Sequence, residues 1–462
     1  MNQKDYNNNP IKAIVIGCGQ RGFYVYGEYA KKFPNKLRFI ACVDSDKNKA
    51  IKFAKIHNIP ENFVFNSDED VFQKSKFADA VFICTPDPYH EKEAIMALEN
   101  GYHVFLEKPM AITKLGCENI LKKSEKSNSI LMVGFVLRYA PIFAKIKQII
   151  NSGLIGDVIN IKHSENMGFW VYAHSFVRGL SYTQSPIILQ KGCHDFDLIF
   201  WFADSFPKYI NSFYMPSVFN IKKAPINAPD RCIDGCSYSK NCLFDAVQFY
   251  MQGKFMLLDS SKSESWIIRK IFNFALKHPK IARNLISPLK KMNLVPWRQW
   301  PVNQITDDLS NEGILKALQD SPYGRCIYKF SNPQPSSQVT AIKFENGITA
   351  TYTLHGFSYR DGREIRIDGI KGTIKGYFYN TGYYIDLFEH QNNKSKRFKF
   401  KLEKVAGGGG DFKIVDEFIN CIKTNSKPST SARESLVSHL ISFAANESAA
   451  SNKTIEINKF EF

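Results

Sequence analysis

Ile11-Lys12-Ala13-Ile14-Val15-Ile16-Gly17-Cys18-Gly19-Gln20-Arg21-Gly22 is the stretch that decides the fold. An apolar run of strand length passes directly into G-x-G-x-x-G and then into a helical stretch reaching about Lys32, the context in which that glycine triplet binds a dinucleotide. Gly17 permits the tight turn, Gly19 lets the backbone approach a pyrophosphate, and Gly22 lets helix and strand pack closely. The helix N-terminus supplies free N–H groups to the anion, so Gln20 and Arg21 join the three glycines as cofactor-binding candidates.

A second strand, Leu37 to Val43, ends in Asp44, close to the spacing of about 20 residues expected of the acid that binds the adenosine ribose. Ser45, Asp46 and Lys47 follow, with no arginine beside the ribose position. A 2′-phosphate there would meet like charge, so the expected cofactor is NAD rather than NADP.

Strand and helix then alternate: Phe63-Val64-Phe65, Ala80 to Cys84, a helix from about His90 to Asn100, Tyr102 to Leu106, and Ile130 to Gly134. This pattern reads as an N-terminal Rossmann-type doubly wound parallel sheet over residues 1–140. Ligands bind outside the carboxyl ends of such strands. Thr85-Pro86 and Glu107-Lys108-Pro109 lie at those ends and should border one cleft, with Lys108 facing the cofactor.

Beyond Gly153 the texture changes to an alternation of period two, in Val158 to His163 and again from Ser337. Val339 to Phe344, the Asn346-Gly347 turn and Ile348 to Leu354 form a hairpin signal, and Glu364 to Asp368 and Tyr383 to Phe388 add strands. Residues 141–462 are therefore expected to form a C-terminal α+β domain with a large, mostly antiparallel sheet. Helices are expected from about Asp411 to Lys423 and near Ser435 to Ala450, packing back on one of the domains.

The 462 residues suffice for two domains of the usual size of about 100 to 200 residues each. No stretch reaches the roughly 18 apolar residues of a membrane span, and Met1 to Asp5 opens no secretory signal. Ten scattered cysteines suit a reducing compartment, so the cytoplasm is the expected location. The net charge of +17 favours acidic partners, and no base-reading nucleic-acid motif is present, which leaves an anionic or nucleotide-linked sugar as the economical choice. Lys262 to Met292 forms a basic amphipathic insertion, rich in Trp266, Ile267, Ile268, Ile271, Phe272, Phe274 and Leu276 between lysines and arginines. Its apolar face is expected to pack on its own domain, with a membrane-surface contact as the alternative.

Together Gly17 to Gly22, Cys84-Thr85-Pro86 with His90, Glu107-Lys108-Pro109, Gly134 with Arg138-Tyr139-Ala140-Pro141, and Lys191 to Asp197 resemble the glucose-fructose oxidoreductase and inositol dehydrogenase family, Gfo/Idh/MocA. The resemblance runs over nearly the whole chain. It implies an NAD(P)-linked enzyme acting on sugars, polyols or their derivatives, whose C-terminal sheet builds homodimers or homotetramers. It assigns Lys108 to a place beside nicotinamide and substrate, and His194 to acid/base work. The chemistry fits those residue types: an imidazole with a pKa near 6.5 takes a hydroxyl proton at neutral pH, and an ammonium stabilises the developing alkoxide.

Departures from the family pattern bear on the substrate. Gln190 stands four residues before His194, one helical turn away, where many relatives place a carboxylate. Gly407 replaces a histidine at the start of the glycine-rich loop Gly407 to Gly410 that precedes Asp411, and Ser336-Ser337-Gln338 replaces Asp-His-Gln. Arg138, His174, Arg178 and Gln190 remain as substrate candidates. Cys232, Cys236 and Cys242, in C-x3-C-x5-C spacing, with Cys326 or Cys193 as a fourth ligand, are candidates for a zinc or iron–sulfur site. Two other functions share the cofactor: an NAD-dependent glycoside hydrolase using transient oxidation and elimination, and a non-catalytic dinucleotide sensor or scaffold.

Overall fold

The computed structural model describes residues 9–179, 185–253, 258, 261–262, 266–278, 301–331, 334–379, 382–401 and 409–459. Its first sheet contains six parallel strands: β1 (Ile11–Ile16), β2 (Leu37–Val43), β3 (Val64–Phe65), β4 (Ala80–Ile83), β5 (His103–Leu106) and β6 (Leu131–Val133). Their order is β3-β2-β1-β4-β5-β6, so the chain reverses direction across the sheet between β1 and β4, where a doubly wound fold opens its crevice. Successive side chains alternate between two cores. Ala13, Val15, Phe39, Phe82 and Phe105 face one side, and Ile14, Ile16, Val81, Ile83 and Val104 face the other. Burial on both faces is why these strands read as nearly unbroken apolar runs.

The helix Asp411–Thr424 packs back on this first sheet. Its Ile414, Val415, Phe418 and Ile422 join the core that holds Val15 and Phe82. Phe418 meets the stacked pair Phe82 and Phe105 edge-on, at 5.5 Å from each ring. A Tyr29 hydroxyl donates to Asp416 at 2.6 Å, so both apolar and polar contacts seat this distant helix.

The second sheet contains β7 (Val158–Gly168), β8 (Pro207–Met215), β9 (Ser337–Phe344), β10 (Thr349–Ser358), β11 (Gly362–Gly369), β12 (Gly372–Tyr379), β13 (Gly382–Glu389), β14 (Ser395–Phe400) and β15 (Ile455–Glu456). Their order is β14-β13-β12-β11-β7-β10-β9-β8-β15. Every pairing among them is antiparallel except β7 with β10. Asn346 and Gly347, the latter at φ +88°, turn β9 into β10 as the hairpin signal predicts. One face of this sheet is covered by the helices Gly192–Ala203 and Ala432–Ser451, the latter accepting from the Ser212 N–H through Ser448 Oγ at 2.8 Å. Strand β14, Ser-Lys-Arg-Phe-Lys-Phe, escapes the sequence reading because it is a charged edge strand, a composition that blunts edges against aggregation.

Within the basic insertion, Trp266–Lys277 is a helix. Ala275 is buried and Phe272 and Leu276 are half-buried, but Trp266, Ile267, Ile271 and Phe274 stay exposed, so the expected packing on its own domain covers only one side. Lys280, Arg283, Lys290, Lys291, Gly407 and Gly408 lie outside the described residues.

Candidate active site

The glycine turn has the shape its sequence demands. Gly17 sits at φ +92°, and a Cβ on it would lie 2.7 Å from the Cys84 carbonyl carbon, so only glycine lets the turn press against the end of β4. A Cβ on Gly22 would lie 2.1 Å from the Gly17 oxygen, whereas one on Gly19 would meet nothing within 4 Å. The open position is the one where a pyrophosphate needs the backbone bare. Asp44 is locked beside it, its Oδ2 accepting from the Cys18 N–H and its Oδ1 from the Asp46 N–H, both at 2.8 Å. Gly17, Gly19 and Gly22 thus form a bare backbone turn with the Asp44 carboxylate fixed beside it.

Arg21 is placed differently from its expected role. Its guanidinium donates to Glu107, to Asp411 Oδ1 at 2.9 Å and to the Tyr26 hydroxyl at 2.8 Å, so it is a clamp between three segments and not a free phosphate ligand. Glu107 is buried, which raises its pKa, but the Arg21 charge and the Tyr26 hydrogen bond outweigh burial and hold it below the usual carboxylate value. His90 is likewise a brace. Its ring nitrogens approach the Thr85 oxygen at 2.9 Å and the Pro109 oxygen at 2.7 Å, tying together the two loops that border the cleft. The Thr85 hydroxyl is occupied by Glu93, whose pKa burial pushes up to about 8.

Lys108, which follows Glu107, reaches across to the second domain, where its Nζ donates to the Gln190 carbonyl at 3.0 Å. The Gln190 amide nitrogen donates to Asp87 Oδ2 at 2.6 Å and to Ser185 Oγ at 2.8 Å. An ionised carboxylate only accepts, so the amide nitrogen must face Asp87 and the amide oxygen points away. That oxygen, Gln190 Oε1, is buried with no partner among the described residues. The helix breaks at Lys191, and four residues after Gln190 the next helix, Gly192–Ala203, presents His194, a partly exposed ring whose Nδ1 is also buried without a partner there. Burial first, then the charges of Lys108 and Arg363, hold the imidazole pKa well below its usual value against the opposing pull of Asp195. The ring is therefore neutral, and a proton acceptor.

A buried charge network supports the helix that carries His194. Asp195 binds Arg363 at 2.6 Å, His163 at 2.7 Å and the Tyr352 hydroxyl at 3.2 Å, and Glu165 binds Arg363 at 2.7 Å and Lys191 at 3.3 Å. Sequence reading missed Asp87, Ser185, Glu165 and Arg363. Asp87 directly follows Thr85-Pro86 and was findable from that position; Glu165 and Arg363 lie on β7 and β11 with no local signal.

The remaining substrate candidates are elsewhere. Arg138 is buried in a two-pronged pair with Asp197 at 2.7 and 2.8 Å and donates to the Ser429 oxygen at 3.2 Å, so its donors are spent on structure. His174 is buried between Tyr250 and Gln304, one at each ring nitrogen, and burial pushes its pKa down to about 4. Arg178 is fully buried, donating to the Phe244 oxygen at 2.6 Å beside Cys232. Cys232, Cys236, Cys242 and Cys326 line one small cavity, while Cys193 lies on the site helix. The metal expectation is corrected here: among the described residues no three His, Cys, Asp or Glu side chains are disposed to hold a metal ion. Burial raises the Cys232 and Cys242 pKa values.

Residues 11–135 match the model of the oxidoreductase family with an NAD-binding Rossmann fold, GFO_IDH_MocA. The match covers the six-stranded sheet and its glycine turn, about a quarter of the chain. Among similar proteins, oxidoreductase P35 of Formosa agariphila is 30% identical over 156 residues, 33% of this chain and 47% of that protein. Inositol 2-dehydrogenase/D-chiro-inositol 3-dehydrogenase of Halalkalibacterium halodurans is 28% identical over 207 residues, 42% of this chain and 55% of that protein. The chain thus spans about half the length of these curated relatives. An oxidoreductase from Agrobacterium radiobacter, solved with NAD+, L-tartaric acid and magnesium, is 16% identical and covers 97% of this chain and 98% of its own at a TM-score of 0.64. A levoglucosan dehydrogenase solved with NADH and levoglucosan is 14% identical and covers 98% and 100% at a TM-score of 0.65. At such identities the likeness establishes a shared fold.

Proposed function

We propose that this chain is an NAD-dependent oxidoreductase acting on a CH–OH carbon of a sugar, a polyol or a sugar derivative. The observation that carries the reading is the pair of buried atoms without a partner among the described residues, Gln190 Oε1 and His194 Nδ1, four residues apart in sequence and beside the Lys108 ammonium. An unsatisfied buried acceptor costs about 1–3 kcal/mol, and a molecule with neighbouring hydroxyl groups satisfies both at once. Relatives named for inositol and levoglucosan support that class. The net charge of +17 favours an anionic or nucleotide-linked member of it.

Gly17, Gly19, Gly22 and Asp44 would hold the cofactor, with NAD preferred because Asp44 and Asp46 repel a 2′-phosphate. When bound, NAD supplies the hydride acceptor. His194, kept neutral, takes the substrate hydroxyl proton. Lys108 stabilises the alkoxide that develops as that proton leaves. Gln190 Oε1 accepts from a second hydroxyl and so orients the ring or chain being oxidised. A homo-oligomer formed through the open face of the second sheet, where the cross-strand neighbours Phe213 and Val339 are exposed, belongs to the same proposal.

The test is NADH formation by the full chain over a panel of polyols, sugars, sugar acids and nucleotide sugars. Turnover is expected on at least one member. Lys108→Ala is expected to lower kcat/KM by about 10²–10³-fold with NAD affinity retained. Saturable NAD binding without NADH formation on any member, or an unchanged rate in Lys108→Ala, defeats the assignment.

A further inference from the structure

We propose that the helix Trp266–Lys277 is an interfacial element that docks this protein on an anionic lipid surface. At 100° per residue, Ala275, which is 4% exposed, marks the side that packs inward, with the half-buried Phe272 and Leu276 beside it. The flank on the other side of Ala275 from Phe272 and Leu276 carries Ile271, Ile267 and Phe274, with Trp266 beyond them, at 58%, 53%, 46% and 60% exposure. Four large apolar side chains on one exposed face of one helix form a patch, in contrast to the singly scattered surface residues that need no explanation.

Charge selects the occupant. Arg269, Lys270 and Lys277 are exposed on the same helix, and the sequence from Trp266 to Met292 contains no Asp or Glu while adding Lys280, Arg283, Lys290 and Lys291. The Lys270 ammonium lies 4.9 Å from the centre of the Trp266 ring, so cation and aromatic are presented together. A second copy docked through this helix would set these cations against their own equivalents. An anionic bilayer offers an apolar boundary for the tryptophan, isoleucines and phenylalanine, and negative headgroups for the flanking cations. At 12 residues the helix is about 18 Å long, and no helix among the described residues is long and apolar enough to cross a membrane. The helix therefore lies in the interface plane. Aromatic side chains favour that depth, and basic ones reach outward from it.

Co-sedimentation of the full chain with vesicles tests this directly. Binding to phosphatidylglycerol-containing vesicles is expected to exceed binding to phosphatidylcholine vesicles by at least about tenfold, from three cations near a charged surface, and to weaken as salt rises. The double variant Ile267→Glu with Phe274→Glu is expected to lose vesicle binding while its thermal midpoint and NAD affinity are kept. Failure to sediment with anionic vesicles overturns the proposal, as does equal binding to neutral ones. Undiminished binding by the folded double variant also overturns it. So does a lipid-free dimer that the double variant abolishes, because the face would then belong to a second copy. NAD affinity and turnover serve as independent readouts, so the proposal stands or falls separately from the catalytic assignment.

Discussion

At the scale of single residues, Gln190 and His194 define the chemistry. A neutral amide at 190 leaves the imidazole without a carboxylate four residues before it, while burial, Lys108 and Arg363 all press its pKa down. A base works when deprotonated, and a depressed pKa keeps it so as the medium acidifies. The acid limb of kcat/KM is therefore expected below pH 6.5, the ordinary histidine value, with a level profile through neutrality. Gln190→Glu would add an anion beside both Asp87 and the imidazole, and is expected to move that limb upward by about one unit or more. Profiles of the two proteins recorded on the same substrate check this, and a limb unmoved by the substitution would detach Gln190 from the acid/base group.

At the scale of elements, the strand, glycine turn and helix act as one unit, and their glycines are not interchangeable. Gly22→Ala forces a Cβ to 2.1 Å from the Gly17 oxygen, whereas Gly19→Ala enters open space. Gly22→Ala is expected to destabilise the fold by more than about 2 kcal/mol, the scale of overpacking and backbone strain. Gly19→Ala is expected to leave stability within about 0.5 kcal/mol yet weaken NAD binding, because the methyl occupies the space of the pyrophosphate. Urea titrations and NAD binding on both variants separate the two effects; a Gly19→Ala protein with unchanged NAD affinity would remove that residue from the cofactor site. The same unit shows where motif reading stops. Arg21 belongs to the fingerprint by position, but its side chain is drawn to Glu107 and Asp411, residues 86 and 390 positions away.

At the scale of the whole molecule, the loop that carries Lys108 is held from the far end of the chain. The Met110 N–H donates to His439 Nε2 at 2.8 Å while the His439 ring faces the Ser435 oxygen through Nδ1 at 2.7 Å. That arrangement requires a neutral imidazole, with the proton on Nδ1. Burial, with repulsion from Lys108 and His90, lowers its pKa to about 4 against the raising effect of the Ser435 bond. The unfolded chain takes up the proton near pH 6.5 and the folded one near 4, so stability from this group is complete above 6.5 and is lost as pH falls toward 4. The expected slope is about 1.4 kcal/mol per pH unit in that window. His439→Gln, which keeps a donor and an acceptor without titrating, is expected to remove that slope. The difference in unfolding free energy between the two proteins, measured at pH 7 and pH 5, isolates the group from the other titrating side chains, and a constant difference would refute the assignment.

Much of this architecture is local, and local features are legible. The period of two in β9 and β10, the Asn346-Gly347 turn, and the run from Ile11 through Gly22 set backbone shape over a few residues, so the sequence alone determines the first sheet, the β9–β10 hairpin and the candidate cofactor cradle. It also determines that Lys108 stands at the end of β5, whereas the helix break at Lys191, which puts Gln190 and His194 on two helices, is not read from it. Tertiary structure alone decides which polar atoms are spent. It spends Arg138 on Asp197, encloses His174 and Arg178 beside Tyr250 and Cys232, and leaves Gln190 Oε1 and His194 Nδ1 without a partner among the described residues. The physical reason is range. Glycine sterics and hydrophobic alternation act between neighbours along the chain, whereas a buried donor or charge takes whatever partner the folded topology brings within 3 Å, and nothing in its own neighbourhood encodes that choice.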